Sequence, residues 1–199
     1  LNWMFGFNHG EAIKCFQKAL EHDPECAMAH WGVSYASGPN YNLPMNPERN
    51  QQALEAVQKA RSLESNAKDA ERGLIAAIST RYSADPKADR AQLDRNYSAA
   101  MKELHERLPE DNDIAVLYAE SLMDLSPWNY WTPAGKPNAD TPKIVGAIET
   151  VLKRNPQHIG AIHYYIHAVE ASDDPARAEK LADTLGDLAP GSGHLVHMP

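Results

Sequence analysis

EAIKCFQKALEHDP, residues 11–24, places Ala12, Phe16, Ala19 and Pro24 at offsets 0, 4, 7 and 12. On a helix the first three side chains share one face, and the proline stops the helix at its end. Small residues there let a second helix come close, while the larger one fills the seam. PARAEKLADTLGDLAP repeats the spacing with Ala178, Ala182, Leu185 and Pro190. Looser copies run through Ala53, Val57, Ala60 and Ser65, then Tyr97, Met101, Leu104 and Pro109, then Ile144, Ile148, Val151 and Pro156. Five related segments predict one architecture, an all-α array of stacked helix pairs.

A-x3-F-x2-A followed by a turn proline is the second-helix pattern of a tetratricopeptide repeat, whose period is about 34 residues. The turn positions 24, 65, 109, 156 and 190 lie 41, 44, 47 and 34 apart, so three units carry insertions. The surplus falls in SGPNYNLPMNP (37–47), YSADPKAD (82–89) and SPWNYWTPAGKPNADTP (126–142), where Pro and Gly break the helical pattern. Helices are predicted near 9–22, 26–37, 47–63, 66–82, 89–107, 112–125, 142–154, 159–171 and 175–188, with another starting near 193. No segment alternates with period two over a strand's length. The expectation is a solenoid of about five repeats with long loops inside the repeats. Residues 1–199 form a single array, read as an excerpt of a longer one because LNWMFGF and GHLVHMP look like unfinished helices.

The totals exclude several classes. A net charge of −8 with no Lys/Arg cluster argues against a nucleic-acid partner. No apolar run approaches the length of a membrane span. Cys15 and Cys26 form neither a framework nor a CxxC pair, and read as small packed residues that could bridge if the protein is exported. No GxSxG, P-loop, HExxH or dinucleotide fingerprint is present, so no nucleotide is expected.

The concentration of ligand chemistry lies between His158 and Pro199. His163, His167 and Glu170 are spaced i, i+4, i+7, and His194 and His197 i, i+3, so each set shares a helix face. Counted on from Pro156 and Pro190 into the next unit, they fall at repeat places that line a concave groove. The packing places of the same helix hold Ile162, Tyr165, Ile166 and Val169. Neighbouring helices pack roughly 8–10 Å apart, so histidines from two of them can converge on one ion. His163, His167, His194 and His197 are expected as ligands, with Glu170 as ligand or supporting base. Imidazole donors suit Zn, Cu, Fe or Ni, with Zn or Cu expected here. His9, His22, His30, His105 and His158 read as structural or solvated.

Aromatic residues form the second feature. Trp31 and Tyr35 on a predicted helix, Asn40 and Tyr41 in GPNYN, and Trp128, Tyr130 and Trp131 in SPWNYW are candidates for lining a groove. The loop aromatics would either cover it as a lid or fill core beneath a long insertion.

FNHGEAIKCFQKALEHDPECAMAHWGVSYASGPNYN, SLMDLSPWNYW and HYYIHAVEASDDPARAEKLADTLGDLAPGSGHLVHMP together resemble a largely uncharacterised family of bacterial and fungal tetratricopeptide-repeat proteins. The likeness spans nearly the whole chain. It implies the helical-repeat fold, further repeats beyond GHLVHMP and export, and says little about biochemistry. Three functions follow as expectations. The first is a scaffold that binds a protein or peptide in its groove and carries the histidine metal site. The second is a metal-dependent enzyme with the aromatic loops as lid, and the third a structural protein that self-associates end to end through uncapped ends.

Overall fold

Pro- and Gly-rich breaks and strong caps divide the chain into helices close to the expected places. The computed structural model describes residues 1–198, so Pro199 of the GHLVHMP motif lies outside the described residues. Among the described residues the protein is all-helical: there is no strand, and two isolated bridges, Asn40 with Leu43 and Trp131 with Pro137, pin loops. None of these helices is long and apolar enough to cross a membrane. The chain forms two compact units, one of His9–Leu108 with Leu1, the other of Asn2–Asn8 with the chain from Pro109 onward.

The first unit contains α2 (His9–His22), α3 (Ala27–Ser37), α4 (Pro47–Ser62), α5 (Asp69–Ser79) and α6 (Arg90–Arg107). Each packs on the next, and α3 also packs on α5. Starts are set locally: the Asn46 side chain accepts from Arg49 N–H at 2.8 Å with Pro47 in the first turn, and Asp89 accepts from Ala91 N–H at 2.9 Å. Gly32 lets α2 and α3 close up, because a Cβ there would stand 2.4 Å from the Phe16 ring. Ala53, Val57, Ala60, Tyr97, Met101 and Leu104 are buried, as expected of apolar residues sharing one helix face. On α2 Phe16 is half-buried and Ala19 exposed.

Two cysteine expectations need correction. Cys15 is exposed and Cys26 half-buried, both as free thiols, rather than packed in the core. Cys15 falls off the stripe of Ala12 and Phe16 that α2 turns inward, so the helix carries it outward.

The GPNYN loop is held by polar contacts. Asn40 Oδ1 accepts from Asn42 N–H at 3.0 Å, and its Nδ2–H donates to His9 Nε2 at 3.1 Å. Burial, reinforced by the Arg49 cation, pushes His9 down from 6.5 to about 4. An unfolded chain therefore takes a proton between pH 6.5 and 4 that the folded one refuses. The His9 contribution is complete above pH 6.5 and is lost as pH falls toward 4. Denaturant unfolding at pH 7 and 4.5 should show a steeper loss of stability in wild type than in His9→Gln. Equal losses would mean that His9 is protonated in the folded unit.

The second unit contains α1 (Asn2–Phe5), α7 (Asn112–Met123), α8 (Thr141–Arg154), α9 (Ile159–Val169), α10 (Glu179–Ala182), α11 (Leu185–Leu188) and α12 (Gly193–His197), with a 3-10 turn at Pro175–Ala178. The helix expected over 175–188 is thus broken into three short turns. Thr184 Oγ1–H donates to Leu181 C=O at 2.7 Å, and Gly186 adds a residue with poor helix propensity. α9 packs on α7, α8, α10, α11 and α1, which explains why its sequence IGAIHYYIHAV is buried on nearly every face. Ile162, Leu185 and Leu195 form a small core with Leu152, Ile159, Ile166, Leu181 and Leu188 around it. Met4 and Phe5 are buried within this unit, and a Cβ at Gly160 would stand 2.6 Å from the Phe5 ring.

Candidate metal centre

α9 is started by a histidine that is not itself in the centre. His158 Nδ1 accepts from Ala161 N–H at 3.2 Å, so its Nε2 carries the proton and donates to Asp113 Oδ1 at 3.2 Å. That cap sets the phase of the helix. One turn further, His163 and His167 leave from one face, toward α12 and the residues after α1.

Three imidazoles meet there. His163 Nε2 lies 2.9 Å from His194 Nε2 and 3.1 Å from His167 Nε2. The three residues present one donor atom each within 4.8 Å of one another, a group able to hold a metal ion. His163 is fully buried and His167 is 7% exposed, while His194 is exposed. Neither His197 nor Glu170 belongs to the group.

The partners behind the rings decide what the rings present. His163 Nδ1 faces the Phe5 carbonyl, which can only accept, so the N–H stands at Nδ1 and the Nε2 lone pair points inward. His167 Nδ1 donates to Glu170 Oε1 at 3.1 Å, and its Nε2 is turned to the same point. His163 Nε2 thus faces Nε2 of both other rings, at 2.9 Å from His194 and 3.1 Å from His167, an arrangement that could hold a cation. A carbonyl and a carboxylate on the far nitrogens are also the usual outer partners of metal-bound histidines, fixing tautomer and ring orientation.

Electrostatics favour the ligand form. Burial, aided by His167 and His194 and opposed by the hydrogen bond to Phe5, holds His163 well below 6.5. Burial and the neighbouring His167 and His197 lower His194 as well. Both imidazoles are neutral near pH 7, as a metal requires.

Aromatic rings surround the group. Phe7 lies against all three imidazoles, with centroids 4.5 Å from His163, 5.3 Å from His194 and 5.9 Å from His167. Trp128 meets His167 edge to face at 5.6 Å. These two aromatics, Phe7 at φ 55° and Trp128 at φ 63°, are the non-glycine residues with positive φ among the described residues. Bulky side chains resist that backbone region, and such strain persists only where surroundings enforce it.

The other sequence candidates are placed differently. His197 is exposed, one turn along from His194. Glu170, 42% exposed at its side chain, stands behind His167 rather than among the inward nitrogens. Trp31, Tyr35 and Tyr41 are buried, and Trp31 Nε1–H donates to Leu74 C=O at 3.2 Å. In SPWNYW, Tyr130 is buried with its hydroxyl donating to Met123 C=O at 3.3 Å, and Trp131 Nε1–H donates to Ala168 C=O at 2.7 Å. Trp128 is the exposed member of the trio.

Sequence reasoning missed Phe5 and Phe7. LNWMFGF reads as the tail of a helix, and no local signal shows that it meets α9 more than 150 residues away. No family model, curated protein or solved structure matches this chain.

Proposed function

We propose that this protein is a helical-repeat binding scaffold whose second unit holds a transition metal through His163, His167 and His194. The observation that carries the reading is the convergence of three Nε2 atoms, two with their tautomers set by the Phe5 carbonyl and Glu170. Magnitudes agree with it. Metal–imidazole bonds of about 2.0–2.1 Å place two nitrogens on one ion about 2.9 Å apart at right angles and about 3.3 Å apart in a tetrahedron. The two separations from His163, 2.9 and 3.1 Å, are close to these values, while the group spans up to 4.8 Å, so the His167 and His194 rings must draw together on a shared ion. In the repeat reading, the tetratricopeptide-like spacing accounts for the buried stripes of α4, α6 and α8. The packing of α3 on α5 and of α7 on α9 matches first helices of successive repeats. Zn and Cu suit a neutral three-imidazole set best.

The test is the metal content of the purified chain after incubation with Zn or Cu and desalting, for wild type and the double variant His163→Ala, His194→Ala. About one equivalent in wild type and about none in the variant is the expected result. Equal, substoichiometric uptake by both would reject the centre.

A further inference from the structure

The centre's own donors do not complete a coordination shell. Three nitrogens form the group, Glu170 is turned to His167 Nδ1, and among the described residues no further His, Cys, Asp or Glu joins them. Structural zinc sites are closed by four protein ligands, whereas sites that bind or transform a ligand use three and keep one position exchangeable. A divalent ion with three neutral imidazoles carries two positive charges, and the Glu170 carboxylate behind His167 offsets one. A monoanion at the remaining position would balance the other, which matters where water is partly excluded. The exposed side of the group is bounded by His194 and by Trp128, which is 56% exposed and edge to face with His167. Phe7 covers the three rings from the side of Asn2–Asn8. Both aromatics are held at positive φ, so the backbone maintains a ring at each place against its own preference.

We propose that the metal keeps one exchangeable position and binds there a small aromatic carboxylate, its oxygen on the ion and its ring against Trp128. This rests on the metal reading above. Offset or edge-to-face packing on an exposed indole adds selectivity for a ring over a methyl group, while the metal bond itself is common to all carboxylates.

The full chain loaded with Co²⁺ reports ligand exchange through its visible d–d bands. Titration with benzoate and with acetate should shift those bands, with benzoate binding about five- to tenfold tighter. Trp128→Gly, which suits the left-handed backbone at that position, should bring the affinities of the two anions within about twofold of each other. Trp128→Phe should restore most of the preference. Stoichiometric Co²⁺ with no band shift by either anion would overturn the proposal, because the protein would then close the shell itself. An unchanged benzoate preference in Trp128→Gly would also overturn it. A chain that takes up no Co²⁺ fails at the earlier step, and that failure is read from metal content before any anion is added.

Discussion

Phe5→Ala is expected to destabilise the second unit by about 3–5 kcal/mol, the range for deleting a fully buried aromatic ring. The Phe5 side chain is 1% exposed, lies on Gly160, and has its ring centroid 5.5 Å from His158 and 6.0 Å from Tyr164. Alanine leaves a cavity where glycine had been required to admit the ring. The loss reaches the metal centre through the main chain, because the same residue's carbonyl accepts from His163 Nδ1. Once the segment loosens, His163 loses the partner that fixes its tautomer, and metal affinity should fall about tenfold, as for other outer partners of metal-bound histidines. Denaturant unfolding and metal titration of the same samples measure both effects. Two compact units can unfold separately, so the transition of the second must be resolved rather than read from one average midpoint. A loss under about 1 kcal/mol would show that residues 2–8 do not pack on α9 in solution.

Metal binding should stabilise the same unit measurably. A ligand that binds only the folded form at 100 times its Kd adds about 2.7 kcal/mol. For a unit of about 100 residues that raises Tm by roughly 10–20 °C. His163→Ala should abolish the increase, since it removes the nitrogen shared by both close contacts of the group. His197→Ala should retain it, because that residue lies outside the three. Calorimetry with and without Zn²⁺ or Cu²⁺ decides the matter. Equal increments in wild type and His163→Ala would mean that the ion binds elsewhere.

Much of this was legible in the residues. The helices α2 to α9 follow from apolar periodicity, and their limits from the turn prolines and the Pro- and Gly-rich breaks, which act within a few positions of where they stand. The i, i+4 spacing puts His163 and His167 on one face by geometry alone. Counting from the turn prolines led to the expectation that His194 and His197 would join them, and of the two only His194 belongs to the group. The expected ligand set was wider than the group that forms. His194 converges while His197, one turn on, is carried to solvent, and this depends on the orientation of a five-residue helix. Burial of the site was not legible either. Helix α9 was expected to turn its histidines to a groove, and the chain's own Phe5 and Phe7 lie over them instead.

By itself, then, the sequence determined the helical class, the approximate limits of α2 to α9 and the presence of paired histidines, because each depends on side chains a few residues apart. Tertiary structure alone decided which third imidazole completes the group, which nitrogens carry protons, and that Phe5, Phe7 and Trp128 surround it. Those outcomes depend on contacts between segments far apart in the chain. Such contacts are chosen by how all the buried surfaces fit together, and no local spacing records that choice.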